Sequence, residues 1–69
     1  MLVMASLKDK LRRSRRRAAL TQTELAEKSG VGITTITRIE AGHIPEPRVS
    51  TLRKLADALG VEPRDLLDD

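Results

Sequence analysis

A chain of 69 residues is one domain at most, with a core small enough that its helices must pack efficiently or a partner must add burial. The absence of Cys rules out a disulfide framework and thiolate zinc ligands. The absence of Phe, Tyr and Trp removes the stacking platforms that single-stranded nucleic acid and RNA-reading sheets rely on. The net charge of +3 is unevenly spread: Lys8 to Arg17 holds seven basic residues against Asp9 alone, and from Asp57 onward five acidic residues stand against Arg64. The chain is thus a dipole in sequence, one end drawn to a polyanion and the other kept away from it. No run approaches the roughly 18 apolar residues of a membrane span, and Met1 to Leu7 is too short for a signal peptide, so a soluble cytoplasmic protein is expected.

Taken in chain order, the apolar positions predict an all-α fold of five helices. Leu7, Leu11, Ser14, Arg15 and Ala18 recur at helical spacing, giving a first helix over about 6–18, with residues 1–5 ahead of it expected to be flexible. Arg15 lies on the apolar stripe, where an unpaired guanidinium is expensive. The most economical partner across the core is Glu40, and the alternative is that Arg15 reaches solvent along its methylenes. At Thr21 a hydroxyl is followed three residues later by Glu24, the reciprocal capping-box spacing, and Leu25 and Ala26 begin an apolar stripe behind it. A second helix over about 22–29 follows, with Gly30 as its stop and Val31 tucking the turn against the core.

Gly32 opens a third helix, over about 33–41. Its residues are mostly β-branched, each costing up to about 0.7 kcal/mol relative to Ala in a helix, so propensity alone leans towards a strand. Spacing overrules it, because the isoleucines recur every third residue rather than on alternate ones. Ile36 and Ile39 share the inner face, Thr34, Arg38 and Ala41 point outward, and Ile33 and Thr37 flank them. The loop from His43 to Pro47 is held extended by two prolines. A fourth helix over about 49–59 follows, placing Val49, Leu52, Leu55, Ala56 and Leu59 on one side and stopping at Gly60. Pro63 starts a short last helix over about 63–67.

The segment LTQTELAEKSGVGITTITRIEAG, from Leu20 to Gly42, together with the P-x-x-x-T-L-x-K-L-A-x-A-L-G-V pattern from Pro47 to Val61, resembles the phage-repressor and Cro type of helix-turn-helix domain, also called XRE-like. The resemblance covers roughly Leu7 to Leu67. Leu20, Gln22, Glu24, Leu25, Ala26, Gly30, Ile36, Ile39, Glu40 and Gly42 all stand where that pattern expects such residues. It implies a five-helix repressor-like bundle in which helices two and three form the helix-turn-helix, acting as a homodimer on a palindromic double-stranded operator in a bacterial or phage setting. Two positions depart from the pattern: Gly32 replaces the usual Ser or Thr cap, and Ala19 replaces a frequent glycine.

Site roles follow from the resemblance position by position. Gln22, at the start of helix two, would meet a DNA phosphate, in keeping with the free N–H groups and positive dipole end there. Base reading falls to Ile33, Thr34 and Arg38. Arg38 can make a two-pronged contact to guanine O6 and N7, the alternatives being a phosphate contact or a plain surface charge. Thr34 could bond a base edge or a phosphate, and Ile33 could meet a thymine methyl or pack on helix two. Thr37 is assigned to the backbone, and Arg48, ahead of helix four, is the expected loop contact to phosphate. Of Arg12, Arg13, Arg16 and Arg17, only one or two are expected to touch DNA, with the group as a whole making binding salt-dependent.

His43 is read as a loop residue without catalytic or metal-binding company, and no cofactor is expected. Residues around Val61, Leu66 and Leu67 are the candidates for a dimer contact, which could form only on DNA. No nucleophile-base pair, carboxylate cluster or phosphate-cradling glycine loop supports an enzyme. The rival reading is a protein-binding helical module, such as an antitoxin-like or co-activator-like partner. The basic first helix and the outward Arg38 favour DNA over it.

Overall fold

The computed structural model describes residues 6–67, so the expectation of flexibility for residues 1–5 lies outside the described residues. Within them the chain is all-helical: α1 (Leu7–Arg17), α2 (Gln22–Ser29), α3 (Ile33–Glu40) and α4 (Val49–Leu59), followed by a single 3-10 turn, Pro63–Leu66. No described helix is long and apolar enough to cross a membrane.

The capping box at α2 is complete. Glu24 N–H donates to Thr21 Oγ1 at 3.0 Å, and Thr21 N–H donates to Glu24 Oε1 at 2.8 Å, so two otherwise orphaned amides are satisfied. These bonds hold the exposed Glu24 carboxyl below the usual carboxylate range, the backbone bond from Thr21 being the main cause. At its other end Gly30 adopts φ 77°, its N–H donating to the Ala26 carbonyl at 2.9 Å, and the chain turns sharply into α3. Val31 is buried there, and Gly32 opens α3 without a side-chain cap.

Leu11, Leu25, Ile36, Ile39, Leu55 and Leu66 are fully buried and come from every helical element, so one core serves the whole fold. α1 packs on α3, α2 on both α3 and α4, and the terminal turn on α4 and α1. The β-branched α3 is therefore helical for a packing reason: burying Ile36 and Ile39 stabilises by about 2 to 3 kcal/mol each, more than their poor propensity costs.

Two expectations are corrected. The fifth α-helix over 63–67 is only a 3-10 turn, closed by Asp65 N–H to the Glu62 carbonyl at 2.9 Å and Leu67 N–H to the Arg64 carbonyl at 3.1 Å. Leu67 is already extended, so only four residues remain helical and the tighter i to i+3 ladder is the one they can close. Val49 is not a core residue: it is 62 % exposed, whereas Ala58, which the stripe left out, is buried. Periodicity fixes the direction a side chain takes around a helix. Burial also needs a facing element at that height, and the first turn of α4 has none over Val49, while the terminal turn covers a second side of α4.

The end of α1 carries a local strain. Ala19 N–H bonds the Arg16 carbonyl at 2.9 Å and Leu20 N–H bonds the Arg15 carbonyl at 3.1 Å, the paired closure that requires a left-handed residue. At the end of α4 that residue is Gly60, at φ 71°; here it is Ala19, at φ 59°. A left-handed alanine costs on the order of 1 to 2 kcal/mol, against about 0.5 to 1 kcal/mol of extra chain entropy that glycine loses on folding. Ala19→Gly is accordingly expected to stabilise by about 0.5 to 1 kcal/mol, raising the thermal midpoint by several degrees in a domain of this size. An unchanged or lower midpoint in a circular-dichroism melt would show that the strain is absent.

Candidate nucleic-acid interface

With Ile36 and Ile39 locked inward, α3 turns a small polar face to solvent. Thr34 and Arg38 are exposed, and Ile33 is 41 % exposed, so it is not consumed by packing on α2. The Arg38 side chain makes no hydrogen bond or ion pair with any described residue. Thr37 is half-buried on the flank, its Oγ1 donating to the Thr34 carbonyl at 2.9 Å, which leaves the hydroxyl oxygen free to accept but spends its proton. Arg48 is exposed just ahead of α4, and His43 is exposed in the loop. No group of three or more His, Cys, Asp or Glu among the described residues could hold a metal ion.

Behind this face lies a buried ionic cluster. The structure brings Arg15 and Glu40 together: Arg15 Nε donates to Glu40 Oε2 at 2.7 Å and Nη2 to Oε1 at 3.0 Å, a two-pronged pair in which the Glu40 side chain is 2 % exposed. Arg15 Nη1 donates to the Leu20 carbonyl at 2.9 Å, so the guanidinium also fastens the α1–α2 connection. Burial by itself would push the Glu40 carboxyl up. The bonds from Arg15 and Gln22 and the charges of Arg15 and Arg12 outweigh it and hold the group below the usual carboxylate range. The same bond to Glu40 raises the Arg15 guanidinium above its ordinary value.

Two members of the cluster were not expected there from the sequence. Gln22, expected to face phosphate, is half-buried and donates from Nε2 to Glu40 Oε1 at 3.1 Å. Arg12, grouped with the solvated arginines, donates from Nη2 to the Glu40 carbonyl at 3.1 Å and holds Nε 3.8 Å from Glu40 Oε1. The i, i+3 spacing of Arg12 and Arg15 already put both on one side of α1, which is the signal that could have placed Arg12 near Glu40. Nothing in local spacing could join Gln22 to a carboxylate 18 positions away. Of the three dimer-contact candidates, Leu66 is withdrawn: it is fully buried, because the terminal turn plugs it into the core beneath α4 and α1. Val61 is half-buried and Leu67 is 43 % exposed.

Comparison with known proteins agrees with this arrangement. A family model described as helix-turn-helix matches residues 11–66. The chain is 39 % identical over 64 residues to the HTH-type transcriptional repressor RghR of Bacillus subtilis (strain 168), covering 93 % of this chain and 47 % of that protein. It is 38 % identical over 64 residues to the uncharacterized HTH-type transcriptional regulator RghRB of the same organism, covering 93 % of this chain and 46 % of the relative. The chain thus spans about half the length of these relatives.

Removing Glu40 would strand a nearly buried guanidinium. Glu40→Ala is expected to destabilise by about 3 kcal/mol, the low end for stripping one partner from a buried pair, and an unchanged thermal midpoint would contradict the pairing. The carboxyl is held low in the folded state, so its contribution is complete above the unfolded value near pH 4.3 and is lost as pH falls through the folded value. Melts from pH 7 to pH 2.5 should show a large deficit for Glu40→Gln at neutral pH that closes on acidification. A deficit that does not depend on pH would assign the loss to packing instead.

Proposed function

This chain belongs to the helix-turn-helix family of the XRE type, and from that premise we propose that it binds double-stranded DNA sequence-specifically, laying α3 in the major groove, as a transcriptional regulator that acts by repression. The observation that carries the proposal is the division of α3 into a locked inner face and an outer face of Ile33, Thr34 and Arg38 that the fold leaves unengaged. A helix stabilised only by its inner residues is free to carry outward side chains suited to what they touch. Here they are an apolar branched group, a hydroxyl and a guanidinium, the set that suits a thymine methyl, a base edge and guanine O6 and N7. Gln22 and Arg48 hold the flanking phosphates, which orient α3 without reading sequence, and Thr37 joins them by turning its hydroxyl proton from the Thr34 carbonyl to a phosphate oxygen. The similarity to an HTH-type transcriptional repressor and an HTH-type transcriptional regulator supports the same role.

One such unit reads a short half-site. The working form is a homodimer on two half-sites about 34 Å apart, with pairing through the exposed Leu67 and the neighbouring Val61 and an operator that is correspondingly palindromic. The setting this reading implies is the cytoplasm, bacterial or phage.

Selection of bound duplexes from a random pool, followed by sequencing, tests the proposal as a whole: the expected outcome is an enriched half-site repeated with inverted symmetry. No salt-sensitive shift of duplex DNA at micromolar protein would point to a protein-binding module instead. Within the selected site, Arg38→Ala should cost about 1 to 3 kcal/mol of binding and relax preference at one base position. Uniform weakening across all sequences would move Arg38 to the phosphate group.

A further inference from the structure

The cluster around Glu40 reaches solvent through two donors that it does not exhaust, the exposed Arg12 and the half-buried Gln22. Gln22 Nε2 and Arg12 Nε converge on one carboxylate oxygen, Glu40 Oε1, at 3.1 and 3.8 Å, so the two nitrogens can be no farther apart than these distances together allow. Each retains capacity. An amide nitrogen carries two protons, of which Gln22 spends one on Glu40. A guanidinium carries five, of which Arg12 spends one on the Glu40 carbonyl. Arg15 is different. Its Nε, Nη1 and Nη2 are all bonded and its side chain is 12 % exposed, against 44 % for Arg12. Arg12 and Arg15 against Glu40 leave one net positive charge, and it is Arg12 that presents it to solvent.

We infer that Arg12 and Gln22 form a two-donor cradle for a single DNA backbone phosphate, with Glu40 as the positioning residue that aims both. The inference rests on the DNA-binding reading proposed above and adds to it a basic side chain drawn from α1. The side chains of Arg13, Arg16 and Arg17 make no hydrogen bond or ion pair with any described residue, and all three residues are exposed, so each must give up its rotamer freedom when it meets a phosphate. Arg12 has already given up much of that freedom to Glu40, and its remaining donors are pre-aimed. Its charge is also needed where it stands. A phosphate on Gln22 comes close to the Glu40 carboxylate, which Arg15 alone merely neutralises. Arg12 makes the local field attractive. Without a phosphate, Arg12 also closes the last carbonyl of α3, and that structural role is the alternative the test must separate.

The test is fluorescence anisotropy of a labelled duplex, chosen from the random-pool selection, titrated with the 69-residue chain over a range of salt concentrations. Arg12→Ala is expected to bind about tenfold more weakly and to lower the slope of log affinity against log salt by about one per bound protomer. A residue that only closes a helix end would not move that slope. Arg12→Met, which keeps the aliphatic stem and removes the charge, should behave the same way and serves where Arg12→Ala does not fold. Gln22→Ala should weaken binding with little change of slope. Its effect should shrink once Arg12 is gone, since the two donors share one phosphate. Arg13→Ala is the comparison and should lose no more than about twofold. The cradle is overturned if the Arg12 variants keep the wild-type slope, if they lose no more than Arg13→Ala, or if the Arg12 and Gln22 effects simply multiply. If the wild-type chain shows no salt-sensitive binding, the DNA reading itself fails and the cradle with it, an outcome distinct from wild-type binding with unaffected variants.

Discussion

Glu40 is a carboxylate that a core of this size could not hold alone, and the rest of the molecule is arranged around the groups that make it tolerable. It is 3 % exposed, at the last residue of α3, and it takes bonds from Arg15 of α1 and Gln22 of α2 while its own carbonyl takes one from Arg12. Three helices are thereby referred to one side chain. Pairs of this kind add little net stability, because removing two charges from water costs about as much as their attraction returns. What the pair supplies is register. Any slide of α3 along α1 separates Arg15 from its carboxylate and leaves both charges buried, an error that apolar contacts among leucines and isoleucines could otherwise absorb.

That register matters because the apolar core is unspecific by composition. Leu, Ile, Val and Ala fill it, with no aromatic ring to fix an orientation. Aliphatic side chains repack readily and give up uniqueness before they give up stability. The polar elements supply what the core does not: the Thr21–Glu24 box fixes where α2 begins, Gly30 fixes where it ends, and Glu40 fixes the far end of α3. The outward face of α3 is then held at both ends, by a turn and by an ion pair, although its own residues are poor helix formers.

Much of this was legible in the sequence because the signals were local. The capping box, the glycine stop after α2 and the three-residue spacing of Ile33, Ile36 and Ile39 each lie within one turn or two, and the observed helices begin and end within a residue of the spacing. Arg15 and Glu40 were readable from a distance for another reason: a charge on an apolar stripe demands a partner, and few carboxylates were placed to serve. The misses have the opposite character. Val49 continues a helical stripe, yet no neighbour reaches it, and Leu66 sits in a short terminal segment whose burial depends on where α4 and α1 meet. The bond from Gln22 to Glu40 is a product of the α2–α3 angle, which no periodicity contains. The candidate site divides in the same way. Its outward residues follow from helical geometry, whereas the ring of donors behind them required the assembled bundle.

Folding also redraws the charge pattern. In sequence the basic and acidic ends are opposite, but the terminal turn packs on α1, with Lys10 Nζ donating to the Leu67 carbonyl. The acidic stretch from Asp57 to Asp65 is therefore not remote from the basic helix; it lies nearest the half of α1 that holds Lys10. The other half, with Arg12, Arg13, Arg16 and Arg17, leads through Leu20 directly into the N-terminus of α2, where the helix dipole adds its own positive end. Neutralising one half of α1 and leaving the other bare concentrates the attraction for a polyanion beside Gln22. In a chain whose net charge is only +3, the positive charge is thereby gathered at the junction of α1 and α2.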